Sequence, residues 1–320
     1  MSKTVKIWLI TAASLVLMGA MIFGGVMTVF KWNFAKLSTA KYETNDYQID
    51  ENYNDISIVT HTAHVALLPS ENESARVECY EQKNVKHSVE VKDGTLVIEV
   101  VDTRKWYEYI GIHFGAPKVT VYLPAGEYGA LSVKARTGGV EIAKAFSFES
   151  IDVSESTGDV KSYASASESL KIKTSTGDIF VENVSAGSLD LSVSTGAVKV
   201  SGVRCAGDVT LSVSTGKAYL TDVSCNNLAS VGTTGELLLK DVIAQGRISL
   251  ERTTADVRFE DADAEEIFVK TDTGSVTGTL LSEKVFIPRT STGKIDVPKT
   301  ANGGRCEITT TTGNIKISVN

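Results

Sequence analysis

From residue 131 onward the aliphatic positions recur in a fixed frame around a Thr-Gly pair. Seven and five residues before the glycine stand Leu131/Val133, Ile151/Val153, Leu170/Ile172, Leu189/Leu191, Val209/Leu211 and Ile248/Leu250. Two and four residues after it stand Val140/Ile142, Ile179/Val181, Val198/Val200, Val257/Phe259 and Ile315/Ile317. Alternation with period two predicts short strands with one buried face. A further aliphatic follows seven residues after the glycine, as Val184, Val203, Val223 and Val242. Each copy is therefore two short strands and a third inward position joined by turns.

The pairs end at Gly138, Gly158, Gly177, Gly196, Gly216, Gly235, Gly274, Gly293 and Gly313, and Thr254-Ala255 fills the one gap. The copies succeed one another every 19 or 20 residues. That period is too short for a propeller blade and contains no helix for a leucine-rich repeat. One coil per copy, stacked in register, predicts an all-β, single-stranded parallel β-solenoid of about ten coils, a rod of roughly 48 Å. Glycine at the corner takes a backbone conformation that side chains resist, and the preceding threonine stacks on its counterparts.

Upstream the pattern changes. Ile7 to Phe30 is a run of 24 residues without a charge, flanked by Lys3, Lys6, Lys31 and Lys36. As a helix it spans about 36 Å, enough for a hydrocarbon core of about 30 Å. The run exceeds the apolar stretch of a signal peptide, and no cysteine lies near its end, so an uncleaved single-pass anchor is expected, with the C-terminal domain outside the cytoplasm. "SVEVKDGTLVIEV" predicts a hairpin closed by Asp93-Gly94, and "KVTVYLPAG" a strand stopped by Pro124. The expected organisation is a tail and anchor over 1–36, a β-rich cap with the domain's first strands over 37–130, and the solenoid over 131–320.

The chain has 32 basic and 39 acidic residues. Four of the lysines flank the apolar run and no acid does, which leaves 28 basic against 39 acidic residues beyond residue 36. With no basic patch, nucleic acid is not an expected partner. The four histidines and four cysteines form no C-x-x-C or H-E-x-x-H pattern, so neither a metal site nor a cofactor is expected.

"VKDGTLVIEV", the aromatic insertion "KWYEYIGIHF", "KVTVYLPAGEYGALSV" and the serial "S-T-G-D-V/I-x-V" coils together resemble the bacterial "putative adhesin" family over about residues 50–320. This is a domain of unknown function found in cell-envelope proteins. The resemblance implies a β-solenoid at the cell envelope, with no catalytic residues to carry over.

The expected function is that of a membrane-anchored, non-enzymatic surface-interaction or envelope-stress protein, held in the membrane by residues 7–30, with an envelope protein or glycan as partner. The alternative is a carbohydrate-active enzyme, which needs carboxylates of neighbouring coils aimed at one sugar. The richest acidic stretch, Asp256, Glu260, Asp261, Asp263, Glu265 and Glu266, runs around a turn and fits a solvated edge. Aspartate after Thr-Gly (Asp159, Asp178, Asp256) gives no calcium loop, because Lys217 and Lys294 take the same position. In "TRKWYEYIGIHF", Trp106, Tyr107, Tyr109 and Phe114 form a binding lip if exposed. Folded inward they would plug the solenoid's open end, which the need to cover the first coil's core favours. Cys205 and Cys225 each stand nine residues after their glycine, so stacking would bring their Cα atoms to about 4.8 Å, within reach of a disulfide or simply buried as small apolar groups.

Overall fold

The computed structural model describes residues 2–33, 40–72, 74–109 and 115–320. Lys3–Val29 is one α-helix, capped where Ser2 Oγ accepts from the Val5 amide. Its best window has a mean hydropathy of 2.1 and packs against nothing else described, so Trp8, Val16 and Met21 lie exposed on all sides. The helix is long and apolar enough to cross a membrane.

The remainder is β structure stacked into one parallel solenoid. Successive coils pair in register, Leu170 on Ile151, Leu189 on Leu170, Val209 on Leu189 and Leu228 on Val209. The inward frame forms one continuous core running the length of the stack. At the Thr-Gly corner the threonines pair along the axis (Thr157 with Thr137 and Thr176, Thr195 with Thr215). Gly196 has φ +147°, and the carbonyl of Gly177 in the coil below leaves no room for a side chain there. The aspartate that follows the glycine also bonds along the axis. Asp159 Oδ1 accepts from the Asp178 amide at 2.8 Å, and Asp178 Oδ1 from the Ala197 amide at 2.7 Å.

Six residues after the glycine comes a second corner that the aliphatic frame does not reveal. Asn183, Gly202, Asp222, Asp241 and Asp261 all have φ between +51° and +62°. Asparagine, aspartate and glycine are the residues that enter the left-handed region at least cost, and these five consecutive coils use nothing else there. The turn redirects the chain so that Val184, Val203, Val223 and Val242 point inward.

At both ends the coils do not stack in the order in which the chain runs. Gly304–Thr312 pairs with Glu266–Thr273 on one side and with Lys284–Thr292 on the other, and Ile315–Val319 likewise lies between Val276–Leu280 and Ile295–Asp296. The last coil is thus inserted beneath the one that precedes it. At the other end, Asp55–Val59 and His64–Pro69 form a coil between Gly126–Ile142 and a layer made of Thr95–Asp102 and Lys118–Leu123. Its corner is Thr62-Ala63, with Ile56/Ile58 before and Val65/Leu67 after, the same frame with alanine in place of glycine. The coil of 55–69 and the coil of 304–319 are thereby each held between two neighbours, with ladder partners on both sides.

Antiparallel strands finish the N-terminal end. Val85–Lys92 covers Thr95–Asp102 through the Asp93-Gly94 hairpin, and Ala75–Gln82 covers Lys118–Leu123 and pairs in turn with Tyr42–Ile49. The opposite edge, Lys284–Thr292, contains Pro288, which has no amide to donate and is tolerated on a strand with one neighbour.

Candidate functional site

The outermost N-terminal layer has the coil frame with a long insertion at its corner. Leu96 and Ile98 pair with Ile56 and Ile58, and Val119 and Val121 with Val65 and Leu67. Ile98 and Val119 are 21 residues apart where Ile58 and Val65 are seven apart, so this corner is 14 residues longer. The insertion contains the aromatic segment, and beside it lies a cavity of about 370 Å³ whose wall includes Thr60, His61, Glu81, His87, Arg104 and Gly115.

Two clamps shape the described part of the insertion. Asp102 Oδ1 accepts from the amide and Nε of Arg104, and Asp102 Oδ2 from the Tyr109 hydroxyl at 3.1 Å. The Arg104 guanidinium beside it holds the Asp102 carboxyl down to about 2 and itself lies 4.3 Å from the Tyr109 ring centre. Glu108 makes the second clamp, accepting from the Lys105 amide and from Asn84 Nδ2. Between them Trp106–Tyr109 forms one turn of 3₁₀-helix. Trp106 is 77% exposed, Tyr107 51% and Tyr109 55%. These three do not plug the stack. The antiparallel strands and the inserted first coil already cover its core, which leaves the aromatics to solvent. Phe114 lies outside the described residues.

The cavity's inner wall is built where two strands part. Gln82 pairs with Val85 across a two-residue turn; then Ala75–Gln82 stays beside Lys118–Leu123 while Val85–Lys92 leaves to pair with Thr95–Asp102. Glu81 and His87, both buried, meet in the fork. Glu81 Oε2 accepts from the His87 amide and lies 2.7 Å from His87 Nδ1, and Glu81 Oε1 accepts from Asn45 Nδ2 at 2.7 Å. His87 Nε2 is 3.0 Å from Thr60 Oγ1. Cys79 is two residues before Glu81 on the same inward face, and burial pushes its thiol up to about 12. Its sulfur, a Glu81 oxygen and a His87 nitrogen all lie within 4.8 Å of one another. Sequence patterns did not indicate this cluster. Period two places Cys79 and Glu81 on one face, but nothing local brings His87 to them.

Cys205 and Cys225 occupy the same position of consecutive coils, one residue beyond the register pair Arg204 and Ser224. Both are buried and neither is in a disulfide. Burial raises the Cys225 thiol to about 12. The acidic stretch holds partners of its own: Ser275 donates to Asp256, Arg258 pairs with Glu260, Thr279 donates to Asp261, Lys284 pairs with Asp263, and Arg247 with Glu266. Ser275, Thr279 and Arg247 make these contacts from a neighbouring coil, whereas Arg258 and Glu260 lie on one strand.

The model of the Toastrack DUF4097 family matches residues 53–213, half of the chain. The crystal structure of a "putative lipid binding protein" from Parabacteroides distasonis ATCC 8503 superposes with a TM-score of 0.50 at 17% identity, covering 77% of this chain and 98% of its own. A "putative adhesin" from Bacteroides fragilis NCTC 9343 superposes with a TM-score of 0.44 at 17% identity, covering 87% and 97%. No curated protein matches the chain. At these identities the likeness is one of fold.

Proposed function

The chain belongs to the Toastrack DUF4097 family, and from that premise we propose a membrane-anchored binding protein that presents an aromatic lip and its adjoining cavity to a glycan of the cell envelope. The observation that carries this reading is the exposure of Trp106, Tyr107 and Tyr109 on a segment clamped by Asp102–Arg104 and Asn84–Glu108. Exposed aromatics cost free energy in water and ordering them costs entropy, so a rigid exposed cluster suits a ligand-stacking surface. Sugar rings offer apolar faces to such side chains and hydroxyls to a polar wall, here Arg104, His61 and Thr60. The apolar helix Lys3–Val29 supplies the membrane anchor, and the solenoid lies on the extracytoplasmic side.

Binding of solubilised cell-wall glycan to the full-length protein in detergent tests the reading. Trp106→Ala and Tyr109→Ala should each weaken binding about five- to 150-fold, since a stacked aromatic contributes about 1–3 kcal/mol to such contacts. Equal binding by wild type and both variants, or capture of an envelope protein with no glycan binding, would overturn the glycan assignment.

A further inference from the structure

We propose that Cys79, Glu81 and His87 form a binding site for a borderline-soft divalent transition ion, with zinc as its natural representative. The site stands independently of the glycan reading. Three ligand atoms of the right kinds converge: a thiol, a carboxylate and an imidazole, all within 4.8 Å of one another and all on buried residues. Around a tetrahedral zinc such atoms stand roughly 3.3–3.8 Å apart, so Nδ1 and Oε2, now 2.7 Å apart, need to open by about 0.6 Å, a side-chain adjustment, with the Cys79 sulfur already within 4.8 Å of both residues' ligand atoms. A thiolate and a carboxylate together neutralise a divalent charge. Thiolate and imidazole donors suit zinc and its neighbours and exclude calcium and magnesium.

The groups behind the ligands are already in place. Asn45 Nδ2 donates to Glu81 Oε1 and leaves Oε2 turned to His87. Thr60 Oγ1 meets His87 Nε2 and so leaves Nδ1 for the cluster, and the Tyr47 hydroxyl fixes the His87 carbonyl at 3.2 Å. Outer partners of this kind orient metal ligands in established sites. The 2.7 Å separation of Nδ1 and Oε2 requires a proton between them, and a metal ion would take that proton's place. With Nε2–H donating to Thr60 Oγ1, binding releases this proton and the Cys79 thiol proton, leaves a neutral imidazole, a carboxylate and a thiolate, and forms Nδ1, Oε2 and Sγ bonds to the ion. Glu81 and His87 also line the 370 Å³ cavity, whereas Cys79 does not. The ion would sit with sulfur on its core side and a fourth position open to the cavity, where a water or a ligand's oxygen could bind.

Cobalt(II) titration of the reduced, full-length protein in detergent tests the site, since thiolate-bound cobalt has its own charge-transfer absorption. One equivalent should produce that band, and zinc should abolish it. Cys79→Ala should remove the band while Cys205→Ala, Cys225→Ala and Cys306→Ala retain it. Glu81→Gln, which keeps the side-chain volume, should weaken cobalt binding at least tenfold. Absence of the band from the folded wild type, its survival in Cys79→Ala, or unchanged affinity in Glu81→Gln would overturn the proposal. Should Cys79→Ala fail to fold, the Glu81→Gln affinity decides alone.

Discussion

The guanidinium of Arg252 occupies the space that a side chain at Gly232, its partner one coil below, would need. Both residues stand three positions before the corner, in a column that elsewhere contains Thr174, Val193, Val213, Thr271 and Thr310. Arg252 is buried and pairs with no carboxylate; Nη2 donates to Ser230 Oγ at 2.6 Å, and burial lowers its pKa to about 10. Ser230 is itself exceptional, standing where neighbouring coils place Leu211 and Leu250. The three residues form one coupled departure from the apolar frame.

Ser230→Leu should therefore change sign with its background. In the native chain it strips Arg252 of its best acceptor and should destabilise by about 1–3 kcal/mol. Combined with Arg252→Thr it restores a buried apolar column and should stabilise by about 1–2 kcal/mol relative to Arg252→Thr alone. Chemical denaturation of the four proteins gives the coupling directly. Additive effects would show that the two side chains do not depend on each other.

Glu155 makes a similar departure in the same column, opposite Ala135 and Thr174. It is 3% exposed, and neither carboxyl oxygen makes a hydrogen bond. Burial raises its pKa from 4.5 to about 7, and the nearby Thr157 amide pulls the other way too weakly to offset it. Between those values the folded state keeps a proton that the unfolded chain releases, so stability falls as pH rises from about 4.5 to about 7. The loss approaches roughly 3 kcal/mol at 1.36 kcal/mol per unit. Glu155→Thr should remove it, because Thr174 at this position donates to the Gly158 carbonyl in the coil below. Denaturation of wild type and variant at pH 5 and pH 8 checks this. The difference between them should be larger at pH 8, and equal differences would place Glu155 in contact with water.

The glycine corner admits a sharper contrast. Gly196→Val introduces a β-branched side chain at φ +147° and against the Gly177 carbonyl, and should cost about 3 kcal/mol. Lys199→Ser, three residues away on an exposed position, gives up only a cation–π contact with Phe180 at 5.1 Å and should stay within about 0.5 kcal/mol. Thermal melts of the two variants suffice; similar shifts would mean that the corner tolerates a side chain.

Much of the architecture was legible because a solenoid repeats its physics. Inward aliphatics, the Thr-Gly corner and the Asp93-Gly94 hairpin are each set by neighbours a few residues away, and all appear where the pattern predicts them. Thr62-Ala63 was legible in the same frame but hidden by the missing glycine. Coil order was not legible from the frame, because the aliphatics of 304–319 pack on Ile267 and Val276 as well as those of 284–296 would. The tie is broken by residues outside the frame. Pro288 needs an edge, and the edge coil leaves Ile295 47% exposed while its register partner Ile315 is buried. The site at the other end is less legible still, since Thr60, Glu81, His87 and Arg104 come from four strands and loops whose meeting depends on that reordering.

Cysteine pairs distinguish the two coil orders. Lys270 and Thr309 are register partners on neighbouring strands, whereas Arg289 pairs with Thr309 one layer further out. Strand spacing puts the first pair about 4.8 Å apart and Lys270 and Arg289 about 9.6 Å apart. A disulfide needs Cα atoms within about 4.4–6.8 Å, so only the first pair can close without backbone movement. Lys270→Cys with Thr309→Cys should oxidise readily in the folded protein, while Lys270→Cys with Arg289→Cys should keep both new thiols free. The four native cysteines are buried and should not compete. Peptide mapping without reduction identifies the cross-link. Coils stacked in sequence order would give the opposite result, since residue 289 would then neighbour residue 270 and residue 309 would lie one layer beyond.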